Sequence, residues 1–171
     1  LYVRPDLMRT LRPAIVGWAG HEAPFQFTAG AIAYAEGLER FQSGTPNVPS
    51  LYSARAGYEI VAAIGVPAIR EKSLRLTRRL MDAALTRGWR VNTPDADRER
   101  GASVVIDVPD GAAVTQALVA REVIVDYRPG AGVRIAPHFY NTEAEIDLAV
   151  ETMADILSQS ARVDGQGRGV E

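Results

Sequence analysis

The stretch from Gly65 to Gly88 constrains this chain most. Pro67 is well placed to open a helix, because a first-turn residue has no use for its missing N–H. Ile69, Ser73, Leu76, Leu80 and Ala84 then recur at helical spacing, and Gly88 suits the C-terminal cap. A helix of that length with one apolar stripe needs a second layer to cover it. The residues that follow supply strands: Trp89 to Asn92, Ser103 to Val108, Val123 to Tyr127 and Gly132 to Ile135, the last two joined by Pro129-Gly130-Ala131. Asp110 is placed to cap a helix from Gly111 to Arg121. Thr142 and Glu145 have the spacing of a capping box for a last helix ending near Ser158. Its apolar face is Ile146, Val150, Met153 and Ile156 or Leu157. The expectation is a small α+β domain over residues 66–158, with an antiparallel sheet and helices on one face, followed by a disordered tail over 159–171.

Residues 1–65 have another texture. LYVRPDL opens without Met, as if in mid-strand, which suggests a piece of something longer; Leu1 to Val3 are expected to end a buried strand, and Asp6 to Leu11 to form a short helix. Ala14 to Phe27 is broken by Gly17, Gly20 and Pro24 and weighted by Trp18, Phe25 and Phe27, as in a segment folded over a cleft. A hydroxyl-rich turn, Ser43-Gly44-Thr45-Pro46, runs into a helix from Pro49 or Ser50 to about Ile64. The turn lacks P-loop spacing. It reads either as a helix-capping turn or as an anion cradle.

Bulk properties exclude more than they assign. A formal net charge of -2 gives no reason to expect a nucleic-acid or membrane-surface partner. Without cysteine there is neither a disulfide nor a thiolate metal site, and no metal is expected. Of 19 basic residues, Lys72 is the one lysine, and it falls among arginines on an amphipathic helix, a poor candidate for amine chemistry. His21 and His138 are far apart in sequence and near no carboxylate cluster.

Three blocks, GWAGHEAPF, RFQSGTPNVPSL and VDYRPGAGVRIAPHFYNTEAEID, occur in the order and spacing of the C-terminal half of class V, fold-type-I pyridoxal phosphate enzymes. The resemblance is kynureninase-like and covers nearly everything from Leu1 to Leu157. It implies the C-terminal portion of the fold-type-I architecture: residues 1–65 as a remnant of the large cofactor-binding domain, ahead of the small domain. It implies pyridoxal 5'-phosphate as cofactor, with Trp18 donating its indole N–H to the phosphate. It implies a cytoplasmic homodimer, in which the Ser43-Gly44-Thr45 turn reaches the phosphate bound by the neighbouring subunit. It also implies an amino-acid substrate, its α-carboxylate gripped by Arg134, with His21 lining the pocket.

From the residues alone, Trp18 also reads as an aromatic plug, Arg134 as a surface arginine, and Arg128 as a structural partner of Asp126. The reaction implied is cleavage of the Cβ–Cγ bond of kynurenine by water, giving anthranilate and alanine. Transamination, desulfuration, epimerisation and elimination on the same scaffold remain alternatives, as does a non-catalytic small-molecule-binding domain. The Schiff-base lysine and the other catalytic groups are expected upstream of Leu1, so this chain alone is expected to be inactive.

Overall fold

The computed structural model describes residues 1–166, with side chains through residue 160. The chain divides into two compact units, Leu1–Ile60 and from Val61 onward.

The first unit is built mostly from turns. Single turns of 3-10 helix occupy Pro5–Leu7, Trp18–Gly20, Pro24–Gln26 and Leu38–Phe41. Leu1 to Val3 form no strand, and Leu1 is 98% exposed. Among the described residues no neighbouring strand offers them a ladder, and Pro5 at the start of a turn stops extension. The helix expected over Asp6 to Leu11 shrinks to that turn. His21 and Tyr34 form an isolated antiparallel bridge, flanked by Glu22 N–H to Ala33 O at 2.8 Å and Ala35 N–H to Gly20 O at 3.0 Å.

Arg40 is the unit's polar centre. Its buried guanidinium donates to Ala35 O at 2.8 Å, Arg9 O at 2.8 Å and Leu11 O at 3.2 Å. A buried charge is tolerated when its donors find partners, and here three backbone carbonyls take the Nε and Nη1 donors.

Helix α1 spans Val48–Ile64 and buries none of its residues. Asn47 caps it: the Ser50 N–H donates to Asn47 Oδ1 at 3.2 Å, and the Ser50 hydroxyl to Asn47 O at 2.8 Å. The cap is therefore neither Ser43 nor Thr45.

The second unit follows the sequence pattern closely. Helix α2 spans Val66–Thr86 with Pro67 in its first turn. Gly88 closes it at φ +75°, its N–H donating to Leu85 O at 2.9 Å while Trp89 N–H donates to Ala84 O at 3.0 Å. That pair of bonds is a Schellman cap, which needs a left-handed residue and so favours glycine. Four antiparallel strands follow: β1 (Arg90–Val91), β2 (Val104–Asp107), β3 (Asp126–Arg128) and β4 (Gly132–Ile135), in the order β1-β2-β4-β3. Helix α3 is Gly111–Val119 and α4 is Glu143–Gln166.

Alternation along the strands sets the layers. Val104, Ile106, Val133 and Ile135 are buried on one face, while Asp107 and Arg134 belong to the other. Helix α2 packs on β1 and β2, α3 on β3 and β4, and α4 across α2 and α3. Leu76, Leu80, Leu118, Val150 and Met153 meet Val104, Ile106 and Val133 there, all nearly or fully shielded. Each such side chain contributes roughly 1.5–3 kcal/mol by leaving water.

Three expectations need correction. Asp110 precedes α3 in a left-handed conformation, φ 51°, and its side chain makes no cap. A side-chain cap needs the extended conformation that Asp110 lacks. Strand β3 starts at Asp126, later than the sequence suggests, because Glu122 turns the chain at φ 64° and leaves Ile124 exposed. Helix α4 continues to Gln166, past Ser158, through a stretch with no glycine or proline before Gly165. Residues 167–171, the end of the expected disordered tail, lie outside the described residues. The capping box is present: Thr142 N–H donates to Glu145 Oε2 at 2.6 Å, and Glu145 N–H to Thr142 Oγ1 at 3.3 Å. Among the described residues no helix is long and apolar enough to cross a membrane.

Candidate cofactor and substrate contacts

In the first unit, two glycines bring distant segments together. A Cβ on Gly17 would lie 1.6 Å from Ser43 O, and one on Gly20 would lie 2.8 Å from Arg40 O. Segments 17–20 and 40–43 therefore run backbone against backbone, which no larger residue at position 17 allows. Beside this contact lies a cavity of about 680 Å³, lined by Trp18, His21, Gly44 and Thr45 among others.

Its donors are well defined. The Trp18 indole packs edge-on to Phe25 at 5.5 Å and stacks near Phe27 at 6.2 Å, and its Nε1 stands 3.7 Å from where a Gly44 Cβ would be. Gly44 thus lies at ordinary contact distance from the indole N–H. His21 Nδ1 accepts the Ala23 N–H at 2.9 Å, so a neutral His21 carries its proton on Nε2 as a donor. Thr45 lines the cavity with a hydroxyl that the α1 cap does not use. Indole, imidazole and hydroxyl donors with a glycine between them suit an acceptor-only phosphate. Glu22, Glu36 and Glu39 also line the cavity, and their charge opposes an anion close to them. Ser43 does not line it; its carbonyl is packed under Gly17.

Arg134 lies in the second unit, on β4, opposite Asp126 of β3. It donates Nε to Asp126 Oδ1 at 2.8 Å and Nη2 to Oδ2 at 2.7 Å. Arg128 reaches the same Oδ2 at 2.7 Å. Hydrogen bonding from Arg134, aided by the charges of both arginines, holds the Asp126 carboxyl below the usual carboxylate range. All three side chains are about half exposed, so the group is open to a ligand. His138 belongs to an exposed aromatic turn, its ring 4.3 Å from both Phe139 and Tyr140.

The structure therefore gathers Trp18, His21, Gly44 and Thr45 on one cavity and places Arg134 in a separate unit. Sequence reading missed Arg40 and Asn47. The second left a signal, since Asn is a favoured N-cap and Pro49 suits the first turn that follows it. Arg40 left none, because its partners are carbonyls 5 to 31 residues away.

The fold and the three motif blocks place the chain among the class V, fold-type-I pyridoxal phosphate enzymes, as part of their C-terminal region. The chain superposes on the apo cysteine desulfurase of Thermococcus onnurineus NA1 with a TM-score of 0.76 at 20% identity, covering 92% of this chain and 42% of that one. It matches C-DES, solved with glycine covalently linked to the PLP cofactor, with a TM-score of 0.64 at 23% identity, covering 90% of this chain and 40% of that one. Within the class the chain is kynureninase-like. Residues 69–153 match the Kynureninase C-terminal domain family, and the chain is 34% identical over 158 residues to the kynureninase of Burkholderia mallei (strain SAVP1). That match covers 90% of this chain and 38% of the relative, so the chain spans under two fifths of the relative's length.

Proposed function

We propose that the complete protein is a kynureninase: it adds water across the Cβ–Cγ bond of kynurenine and releases anthranilate and alanine. The observation that carries this reading is the joint placement of Trp18, Gly44 and Thr45 on one cavity, in a chain with a kynureninase C-terminal domain. The donor set fits a phosphate. Trp18 Nε1–H and the Thr45 hydroxyl hold it, with Gly44 of the same turn beside the indole. His21 Nε2–H orients a further acceptor in the same cavity. That phosphate is the one bound by the neighbouring subunit of a cytoplasmic homodimer, reached by the turn at Ser43, Gly44 and Thr45 with the Trp18 indole beside it, and Ser43 sets the turn's backbone. Arg134 receives the substrate α-carboxylate. Pyridoxal phosphate, when bound, supplies the electron sink for bond cleavage. Residues 1–65 then belong to a large cofactor domain and 66–158 to a small substrate-facing one.

The test is turnover of L-kynurenine by the complete protein, followed by anthranilate fluorescence. Anthranilate is expected, and Trp18→Phe and Thr45→Ala should each weaken pyridoxal phosphate binding about tenfold, the worth of one hydrogen bond to a charged group. Consumption of another amino acid with no anthranilate would assign a sister reaction on this scaffold. Absence of pyridoxal phosphate binding would sink the enzyme reading and favour a non-catalytic binding domain.

A further inference from the structure

An aspartate already sits on one edge of the Arg134 fork, which would oppose a carboxylate ligand if that edge were the only one. The geometry resolves this. A guanidinium has five N–H groups. Asp126 takes the Nε edge and one N–H of Nη2. Both N–H groups of Nη1 and the second of Nη2 remain, and they form a second edge able to take another carboxylate bidentately. Among the described residues Arg134 donates to Asp126 alone.

Arg134 and Asp126 by themselves cancel, and a neutral pair has little pull on an anion. Arg128 changes the sum: it bonds the same Oδ2 at 2.7 Å, leaving one net positive charge on the three. Register explains how it gets there. Arg128 and Asp126 are two apart on β3, hence on one face, and Arg128 is opposite Gly132, which has no side chain to block a lean toward Asp126. Gly132 is itself fixed: its φ is +127°, and a Cβ would lie 2.4 Å from Ile106 O.

We propose that Asp126, Arg128 and Arg134 act as one carboxylate-receiving unit, in which Asp126 orients the Arg134 fork and Arg128 offsets the charge of Asp126. Arg134 touches the ligand, and the other two are positioning residues. This rests on the reading of Arg134 as the α-carboxylate contact.

The experiment is calorimetric titration of the complete, pyridoxal-phosphate-loaded protein with L-alanine, alongside KM and kcat for its substrate. Arg134→Gln should weaken alanine binding about thirtyfold, the loss of a bidentate charged contact. Arg128→Gln should weaken it about tenfold and raise KM with little change in kcat, because Asp126 then neutralises Arg134. The double variant Arg128→Gln/Asp126→Asn should recover most of that loss, since it restores the net charge while an asparagine at 126 keeps an oxygen to accept from Arg134 Nε and so preserves the orientation. Arg128→Lys, the conservative variant, should recover most of it too, which separates a charge effect from a folding defect. Unchanged binding in Arg134→Gln would overturn the carboxylate reading itself. Weakened binding in Arg134→Gln with none in Arg128→Gln, or no recovery in the double variant, would overturn the three-residue unit and leave Arg134 standing alone.

Discussion

The two units are held together by different forces. From Val61 onward the chain has an ordinary apolar core, in which three helices cover one face of the sheet. In Leu1–Ile60, Val3 is the one apolar side chain counted as buried. That unit depends instead on Arg40 gathering carbonyls and on Gly17 and Gly20 admitting another backbone at contact distance. An apolar core tolerates volume-conserving exchange. A backbone-on-backbone contact does not tolerate one added methyl. The unit that carries the candidate phosphate contacts is therefore the one with the least apolar burial and with no room for an added methyl at Gly17.

Exchanging one methyl or more in each unit should break the comparison most visibly. Leu80→Ala removes a fully shielded side chain of the second unit and should cost about 2–5 kcal/mol in denaturant unfolding. Gly17→Ala places a Cβ where Ser43 O now sits and should change Trp18 fluorescence and abolish pyridoxal phosphate binding, with the second unit's unfolding midpoint unmoved. If Gly17→Ala shifted that midpoint as far as Leu80→Ala, the two units would not be separately held.

Acid should sharpen the contrast at a smaller scale. In the second unit, hydrogen bonds from the Thr142 backbone and hydroxyl lower the Glu145 carboxyl, and Arg79 lowers Asp147. Arg78 lowers Asp95, and Arg134 lowers Asp126. In the first unit Asp6, paired with Arg4, is the one carboxyl shown lowered among the described residues. A carboxyl lowered in the folded state adds stability above its unfolded pKa and loses it as pH falls through the folded value. The second unit should hold steady from neutral pH to about 4, the ordinary carboxylate value, and then weaken. Far-UV circular dichroism against pH checks it. Glu145→Gln should flatten part of that acid limb, and an unaltered limb would remove the capping box from the account.

The smallest effect expected is at Ser73, whose buried hydroxyl has no hydrogen-bond partner among the described residues. Ser73→Ala relieves that and improves helix propensity, so unfolding should become harder by about 0.5–1 kcal/mol. A clear loss of stability would mean that the hydroxyl has a partner, such as a trapped water.

Legibility in the sequence follows the same division. Helices α2 and α4 and their buried stripes were readable because helical periodicity repeats a local signal over many residues. The Thr142–Glu145 box and the Gly88 cap were readable because their partners are a few residues apart. The strand expected at Leu1 to Val3 failed because a strand exists only with a neighbour, which no local pattern can supply. Asp110 failed because residue type does not reveal the sign of φ. At the candidate sites, the motif blocks marked Trp18, His21, Gly44, Thr45 and Arg134, and chemistry suggested what each could hold.

Sequence by itself thus marked the candidate donors, the longer elements of the second unit and the family. Tertiary structure decided which donors share a cavity, that Asn47 rather than Ser43 or Thr45 caps α1, and that Arg134 shares Asp126 with Arg128. The physical reason is range. Helix periodicity and caps are set within four or five residues. Cross-strand register and the meeting of Gly17 with Ser43 depend on where the rest of the chain is.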